Sequence, residues 1–266
     1  SRGLGDVYKR QAQDIYKTTG DFIVSKGAPV TGSIGGEWAV LGLARSGRDV
    51  PGADAYYASV VEYVQKAMDE NGRLNRSRST ENSRLILALT AIGKDVTHVA
   101  GRSLLDGLDS MAFITKQSVN GPVWALLALD SGNYEIPENP DAAVQATRQM
   151  YVDELLARAL PDGGWTLTGG EPDVDITAMT LQALAKYRDQ ADVTAAVERG
   201  LAVLSSLQEP DGGYVSWGSS NSESVAQVLV ALTELGVPLD DERFTKNGIT
   251  VEDALLRFAQ ENGAFV

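Results

Sequence analysis

Asp173 and Asp175 stand two residues apart at the head of a strongly apolar stretch, residues 173–187 (DVDITAMTLQALAKY). Carboxylates in that position suit two tasks. At a helix start they accept hydrogen bonds from backbone N–H groups that lack an intrahelical partner, and they face the positive end of the helix dipole. At the edge of a cavity they contact a ligand. The arrangement recurs: counted back from Ala183, Ala231 and Ala128, positions −10 and −8 hold Asp173 and Asp175, then Asn221 and Glu223, then Ser118 and Asn120. Capping-type residues at matching sites are what a structural duty requires, and capping does not preclude ligand contact. Other chemistries fall away. The chain has no cysteine and one histidine, His98. Thiolate nucleophiles, disulfides, sulfur-ligated zinc and His/carboxylate metal clusters are therefore not expected, and neither is a cofactor. The Gly-Gly pairs are not followed by the Lys-Ser/Thr of a phosphate-cradling loop. His98, after Asp95-Val96-Thr97, reads as a surface residue in a connection. Two carboxylates roughly 5–10 Å apart could serve glycoside hydrolysis. Asp175 with Glu223 or Glu37 could be posed that way, although no spacing singles them out.

The elements that must position these residues are repeated. Five segments read alike: 37–47 (EWAVLGLARSG), 82–93 (NSRLILALTAIG), 119–132 (VNGPVWALLALDSG), 173–187 and 221–236 (NSESVAQVLVALTELG). Aligned on a small residue followed by Leu, residues Gly42, Ala88, Ala128, Ala183 and Ala231 fall in register at intervals of 46, 40, 55 and 48 residues. That is the length of one pair of helices with its loops. The five are apolar nearly all round and rich in small residues, which predicts closely packed inner helices buried on all sides. Gly47, Gly93, Gly132 and Gly236 suit left-handed C-terminal caps. Between them lie six segments with one apolar stripe and a charged back: 12–26, 54–70, 102–116, 144–160, 191–208 and 251–261. These read as outer helices. Their connections repeat a turn followed by an aromatic, as in Pro161-Asp162-Gly163-Gly164-Trp165, Pro210-Asp211-Gly212-Gly213-Tyr214 and Glu261-Asn262-Gly263-Ala264-Phe265, with a weaker copy in residues 69–74. Asp/Asn-Gly supplies a turn needing positive φ. No segment alternates with a two-residue period, so the predicted class is all-α with almost no sheet.

Residues 199–214 (RGLAVLSSLQEPDGGY) resemble the QW motif of the squalene-cyclase and prenyltransferase repeat superfamily, which includes the terpenoid cyclases and protein prenyltransferases. Tyr214 stands where the motif has Trp. The resemblance implies that Gln208 ties its helix end to a neighbouring backbone while the aromatic stacks beneath. It also implies an (α/α)₆ toroid, six inner helices enclosed by six outer ones. Six outer helices are expected here but five inner ones, so the toroid is expected to be incomplete, lacking the sixth inner helix after Val266. The inner face of the last outer helix and the flank of the first inner helix should then be unusually exposed. In such a toroid the inner-helix N-termini open on one face. Glu37, Glu81, Asn120, Asp175, Asn221 and Glu223 become ligand-contact candidates around one mouth, with Trp38 and Trp124 deeper on the wall or packed in the core. An acidic rim would favour a cationic or hydroxyl-rich ligand. Residues 173–178 (DVDITA) also look like the Asp-x-Asp-Asp-Thr-Ala motif of class II terpene cyclases, whose middle aspartate protonates an alkene or epoxide. That position matches Asp175, with Asp173 as its partner. Such an acid must be crowded by like charge and hydrogen-bonded in an apolar cavity. Ile176 occupies the place of the third carboxylate, which leaves the acid weaker and less firmly oriented. Protein prenyltransferases need a zinc site with cysteine and are excluded.

The 266 residues are 43% apolar and 22% charged, with a net charge of −13. Such a chain folds, and it repels phosphate backbones and anionic membranes, so nucleic acid is not an expected partner. No run approaches the roughly 20 apolar residues of a membrane span. Residues 1–11 (SRGLGDVYKRQ) resemble translated sequencing-adapter read-through of the kind found on metagenomic gene fragments, and are expected to be a non-native leader to a single toroid domain, 12–266. The chain is also similar to exported bacterial surface toroids, which implies an extracellular or cell-surface place. The function expected is non-catalytic binding of a small-molecule, glycan or peptide ligand, within a larger protein carrying additional domains. A divergent class II cyclase and a carbohydrate-active toroid are the alternatives.

Overall fold

The computed structural model describes residues 2–33 and 35–266, with side chains at residue 7 and from residue 9 onward. Ser1, the first residue of the expected leader, lies outside the described residues. Among the described residues the regular structure is helical apart from one short hairpin and isolated bridges. Its helices are α1 (Arg2–Ser25), α2 (Gly36–Arg45), α3 (Ala53–Ala67), α4 (Thr80–Ala91), α5 (Met111–Ile114), α6 (Asn120–Ser131), α7 (Arg148–Ala157), α8 (Val174–Leu184), α9 (Ala191–Leu207), α10 (Ser222–Glu234) and α11 (Val251–Leu256). The strands β1 (Val215–Ser216) and β2 (Ser219–Ser220) pair antiparallel. α1 runs without a break through residue 11.

The chain divides into two compact units. One comprises Ala28–Ala159 with Lys186–Val193; the other comprises the described residues up to Gly27, Leu160–Ala185 and Thr194–Val266. In the first unit α2, α4 and α6 pack side by side in that order, with α7 against α6. In the second, α8 packs on α10 and α10 on α11. Of these, α7 and α11 lie in segments expected to be outer ones, and α2, α4, α6, α8 and α10 are the helices expected to be inner ones. Their small residues Ala88, Ala128, Ala183 and Ala231 are buried, which is what allows neighbouring backbones to approach. Burial on all sides, however, is not what they show. Each leaves one stripe open at helical spacing: Trp38, Gly42 and Arg45 on α2; Glu81, Arg84, Leu87 and Thr90 on α4; Asn120, Trp124 and Leu127 on α6; Asp175, Met179 and Gln182 on α8; Glu223, Gln227 and Val230 on α10. These nearly all-round apolar helices thus each keep a face that is only partly covered.

The third expected outer helix, 102–116, is not a helix. It is a 3-10 turn at Leu104–Leu108, the four-residue α5 and a second 3-10 turn at Thr115–Gln117. Its backbone groups are spent on tertiary partners instead of the next turn. Leu104 O accepts from Asn82 Nδ2 (2.9 Å), Leu108 O accepts from the Tyr151 hydroxyl, and Asp109 O accepts from Ala146 N (2.7 Å). Side-chain apolarity is unchanged by that exchange, which is why periodicity did not register it. The last outer helix is also shorter than 251–261, ending at Leu256, and its inner face is not exposed: Val251, Ala254 and Leu255 are buried. Besides α10, α1 supports this end of the unit, through Tyr16 OH donating to Glu252 Oε1 (3.0 Å) and the Gly263 turn seated on Thr18 and Phe22. The first inner helix is open as expected, α2 burying only Gly36, Glu37, Val40 and Leu43.

The repeated turns hold the pairs together. Gly72, Gly163, Gly212 and Gly263 all have positive φ, and a Cβ at any of them would strike the next element in the same unit. The aromatics that follow, Trp165 and Tyr214, are fully buried, each contributing on the order of 2–3 kcal/mol by area. Gln208 Nε2 donates to Gly212 O and Phe244 O, both at 2.9 Å. Three of the four helix-end glycines, Gly47, Gly93 and Gly236, are left-handed; after α6 it is Asn133 that takes that conformation, not Gly132.

Candidate functional site

In the first unit the open stripes of α2, α4 and α6 bring an aromatic pair and a charge cluster together. Trp38, in the first turn of α2, is 46% exposed, and its ring lies 5.3 Å from that of Trp124 on α6, tilted by 55°. Such tilted pairs are favourable yet leave both ring faces partly free. Asn120, one turn before Trp124, has a buried Oδ1 with no hydrogen-bond partner among the described residues.

Glu37 does not sit on a rim. It is 1% exposed. Its Oε1 accepts from Gly32 N (2.8 Å), with Tyr56 OH at 3.5 Å, and its Oε2 lies 3.2 Å from Arg84 Nε without the alignment of a hydrogen bond. Burial, and then the Glu37 charge, push the Tyr56 phenol well above its ordinary range. Arg84 Nη2 also donates to Glu81 Oε2 (2.7 Å), and Glu81 Oε1 lies 3.6 Å from Arg78. Two carboxylates therefore face two guanidiniums, and the acidic character expected of Glu37 and Glu81 is cancelled locally. Arg84 was not singled out from the sequence, yet it is the one charge inside the otherwise apolar segment 82–93. A lone cation in such a helix needs buried partners, and that was the available signal.

In the second unit Asp173 is the N-cap of α8, its Oδ1 accepting from Ile176 N at 2.9 Å. Asn221 caps α10 in the same way, its Oδ1 accepting from Ser224 N at 2.8 Å. Glu223, in the first turn of α10, is exposed, with the Ser222 hydroxyl donating to its Oε2 at 3.2 Å. Asp175, in the first turn of α8, is half-buried. Its Oδ2 accepts from Ser216 Oγ (3.2 Å), and its Oδ1 is buried with no hydrogen-bond partner among the described residues. Further along the two stripes Gln182 Nε2 donates to both Gln227 O (3.0 Å) and Gln227 Oε1 (2.9 Å). Ser216 and the neighbouring Trp217 belong to the β1–β2 hairpin, which carries no periodic pattern, so nothing in the sequence announced them.

Elsewhere His98 is exposed and sits 3.1 Å from Asp95, and no group of three or more His, Asp or Glu among the described residues is placed to hold a metal. No described helix is long and apolar enough to cross a membrane. An open groove of about 580 Å³ between α1 and the C-terminal turn, lined by Arg10, Asp14, Thr18 and Glu261 among others, includes none of the candidate residues.

No protein-family model matches the chain. Over 147 residues, 54% of this chain, it is 32% identical to a protein of Streptomyces showdoensis named drimenyl diphosphate synthase, a terpene cyclase. The chain spans about a quarter of that relative's length, 25%. The similarity is therefore partial, between an all-helical chain and part of a larger terpene cyclase.

Proposed function

We propose that this chain is a helical repeat module of terpenoid-cyclase type that holds an isoprenoid chain on the open stripes of α2, α4 and α6 without transforming it. The observation that carries the reading is the Trp38–Trp124 pair, in which Trp38 is 46% exposed and Trp124 partly so, on a unit that also carries partly exposed Leu87 on α4 and Leu127 on α6. Branched apolar chains gain most against aromatic faces that water otherwise wets. The pairing of Glu37 and Glu81 with Arg84 and Arg78 removes the reason to prefer a cationic ligand there. The partial similarity to a terpene cyclase supports the isoprenoid class. The absence of turnover is supported by Ile176 in place of a third carboxylate and by Asp173 being engaged as a cap. Closure of the inner and outer helices as a ring, further domains and a place at the cell surface belong to the same reading and rest on the family resemblance. A tryptophan-fluorescence titration with farnesol tests it. A saturable change is expected, weakened at least about tenfold in Trp38→Ala and Trp124→Ala; a signal that never saturates contradicts the proposal.

A second reading is favoured by one observation, the buried and unpartnered Oδ1 of Asp175 at the position of the cyclase acid. A proton on that oxygen would pass to an alkene carbon, the new C–H bond leaving a carbocation that a neighbouring double bond captures. Loss of a proton from carbon then ends the cascade. Incubation with linear polyprenyl substrates decides it. A cyclised product that disappears in Asp175→Asn establishes catalysis and displaces the first reading.

A further inference from the structure

We infer that Ser216 is a positioning residue for Asp175, supplying the orienting hydrogen bond that Ile176 cannot. The inference rests on the second reading, in which Asp175 donates a proton. A carboxyl acts as a directed acid only if its two oxygens are distinguished, one held by a donor and the other left to carry the proton. Here the distinction is made. Ser216 Oγ donates to Oδ2 at 3.2 Å, while Oδ1 is buried with no hydrogen-bond partner among the described residues. An oxygen that accepts from Ser216 is the poorer place for the acidic proton, so in the neutral carboxyl the proton sits on Oδ1.

The hairpin is built to hold that hydroxyl inward. Side chains alternate along a strand, and β1 follows the rule, with Val215 exposed and Ser216 buried. Register is fixed by the pairs Val215↔Ser220 and Ser216↔Ser219, which leave a two-residue loop, Trp217-Gly218. Both loop residues have positive φ (52° and 81°), as the tight turn suited to strand twist requires. Asn is favoured at the first of these positions, and a tryptophan that is 95% exposed gains no packing for adopting it. The chain therefore keeps a strained turn whose other consequence is the placement of Ser216 against the first turn of α8. Strain of this kind persists where the surroundings over-determine it.

The test uses the full chain labelled with ¹³C at the aspartate side-chain carboxyl, with the Asp175 resonance assigned by its loss in Asp175→Asn. Ser216→Ala is expected to move that resonance. Ser216→Thr, whose β-branched side chain suits a strand and keeps the hydroxyl, is expected to restore it. Trp217→Asn, which keeps the turn, should leave it in place. With a linear polyprenyl substrate, Ser216→Ala should lower kcat at least about tenfold with KM unchanged, and Ser216→Thr should recover it. Far-UV circular dichroism confirms that the variants fold. An Asp175 resonance unmoved in Ser216→Ala, or Ala and Thr variants that behave alike, overturns the assignment. If wild-type protein yields no cyclised product but the resonances follow the expected pattern, the proton-donor reading fails while the positioning of Asp175 by Ser216 stands.

Discussion

Arg84 shows how much of the first unit's electrostatics hangs on one side chain. It lies against both Glu37 and Glu81, and Glu37 has no access to water. Removing the cation strands a buried carboxylate. Arg84→Ala should therefore destabilise the protein by about 2–3 kcal/mol, below the roughly 3–5 kcal/mol for breaking a fully buried pair because Arg84 is itself partly solvated. Chemical denaturation reads the loss, and a variant within about 0.5 kcal/mol of the parent would show that Glu37 finds another partner. Asp109 makes the opposite point. Burial holds its carboxyl above the ordinary value of 3.8, outweighing the Asn139 hydrogen bond and the Arg73 charge that pull it down. A raised acid favours folding in its neutral form, so its contribution is present below 3.8 and is lost as pH climbs through the folded value. Asp109→Asn should match the parent in acid and gain on it progressively toward neutral pH in thermal melts. Asp109 was not legible as important, because its partners Asn139 and Arg73 come from distant segments, and for Arg84 the lone charge in an apolar segment was the one signal.

At the scale of elements, legibility followed composition. The five inner helices announced themselves because small and apolar residues on nearly every position leave a helix few alternatives. The caps of α8 and α10 were legible too, since Asp173 and Asn221 occupy matching places and make matching bonds, whereas α6, where Ser118 and Asn120 hold those places, begins after Val119 with no side-chain cap. Two variants separate this capping from chemistry. Asp173→Ala should cost about 1 kcal/mol, while Asp173→Asn, an equally good cap, should cost only a few tenths. A large loss in Asp173→Asn would mean that its charge and not its acceptor matters. What composition could not show was the broken segment 102–116, where Asn82, Tyr151 and Ala146 claim the carbonyls a helix would use. Nor could it show the hairpin that delivers Ser216. The turn in that hairpin yields a further prediction. Trp217→Asn relieves a left-handed tryptophan that packs on nothing, and should stabilise the protein by about 1 kcal/mol, raising the melting temperature by a few degrees.

On the scale of the whole molecule the net charge of −13 is the term that no single contact answers. Like charges repel in the compact state, and salt shortens their reach from about 30 Å at 0.01 M to about 8 Å at 0.15 M. The melting temperature should rise over that interval; a flat response would mean that local pairs such as those of Arg84 already neutralise the field. The described inner helices α4, α6 and α8 are buried on most sides with one partly exposed stripe, while α2 and α10 are open more widely, and the exposed faces of α2, α4 and α6 are what the proposed function uses. The most direct test is photo-crosslinking with a diazirine-bearing polyprenyl alcohol, followed by peptide mapping. Saturable adducts concentrated on Trp38, Leu87, Trp124 and Leu127, and suppressed by excess farnesol, are the predicted result. Adducts scattered over exposed residues elsewhere, and unaffected by farnesol, would contradict it.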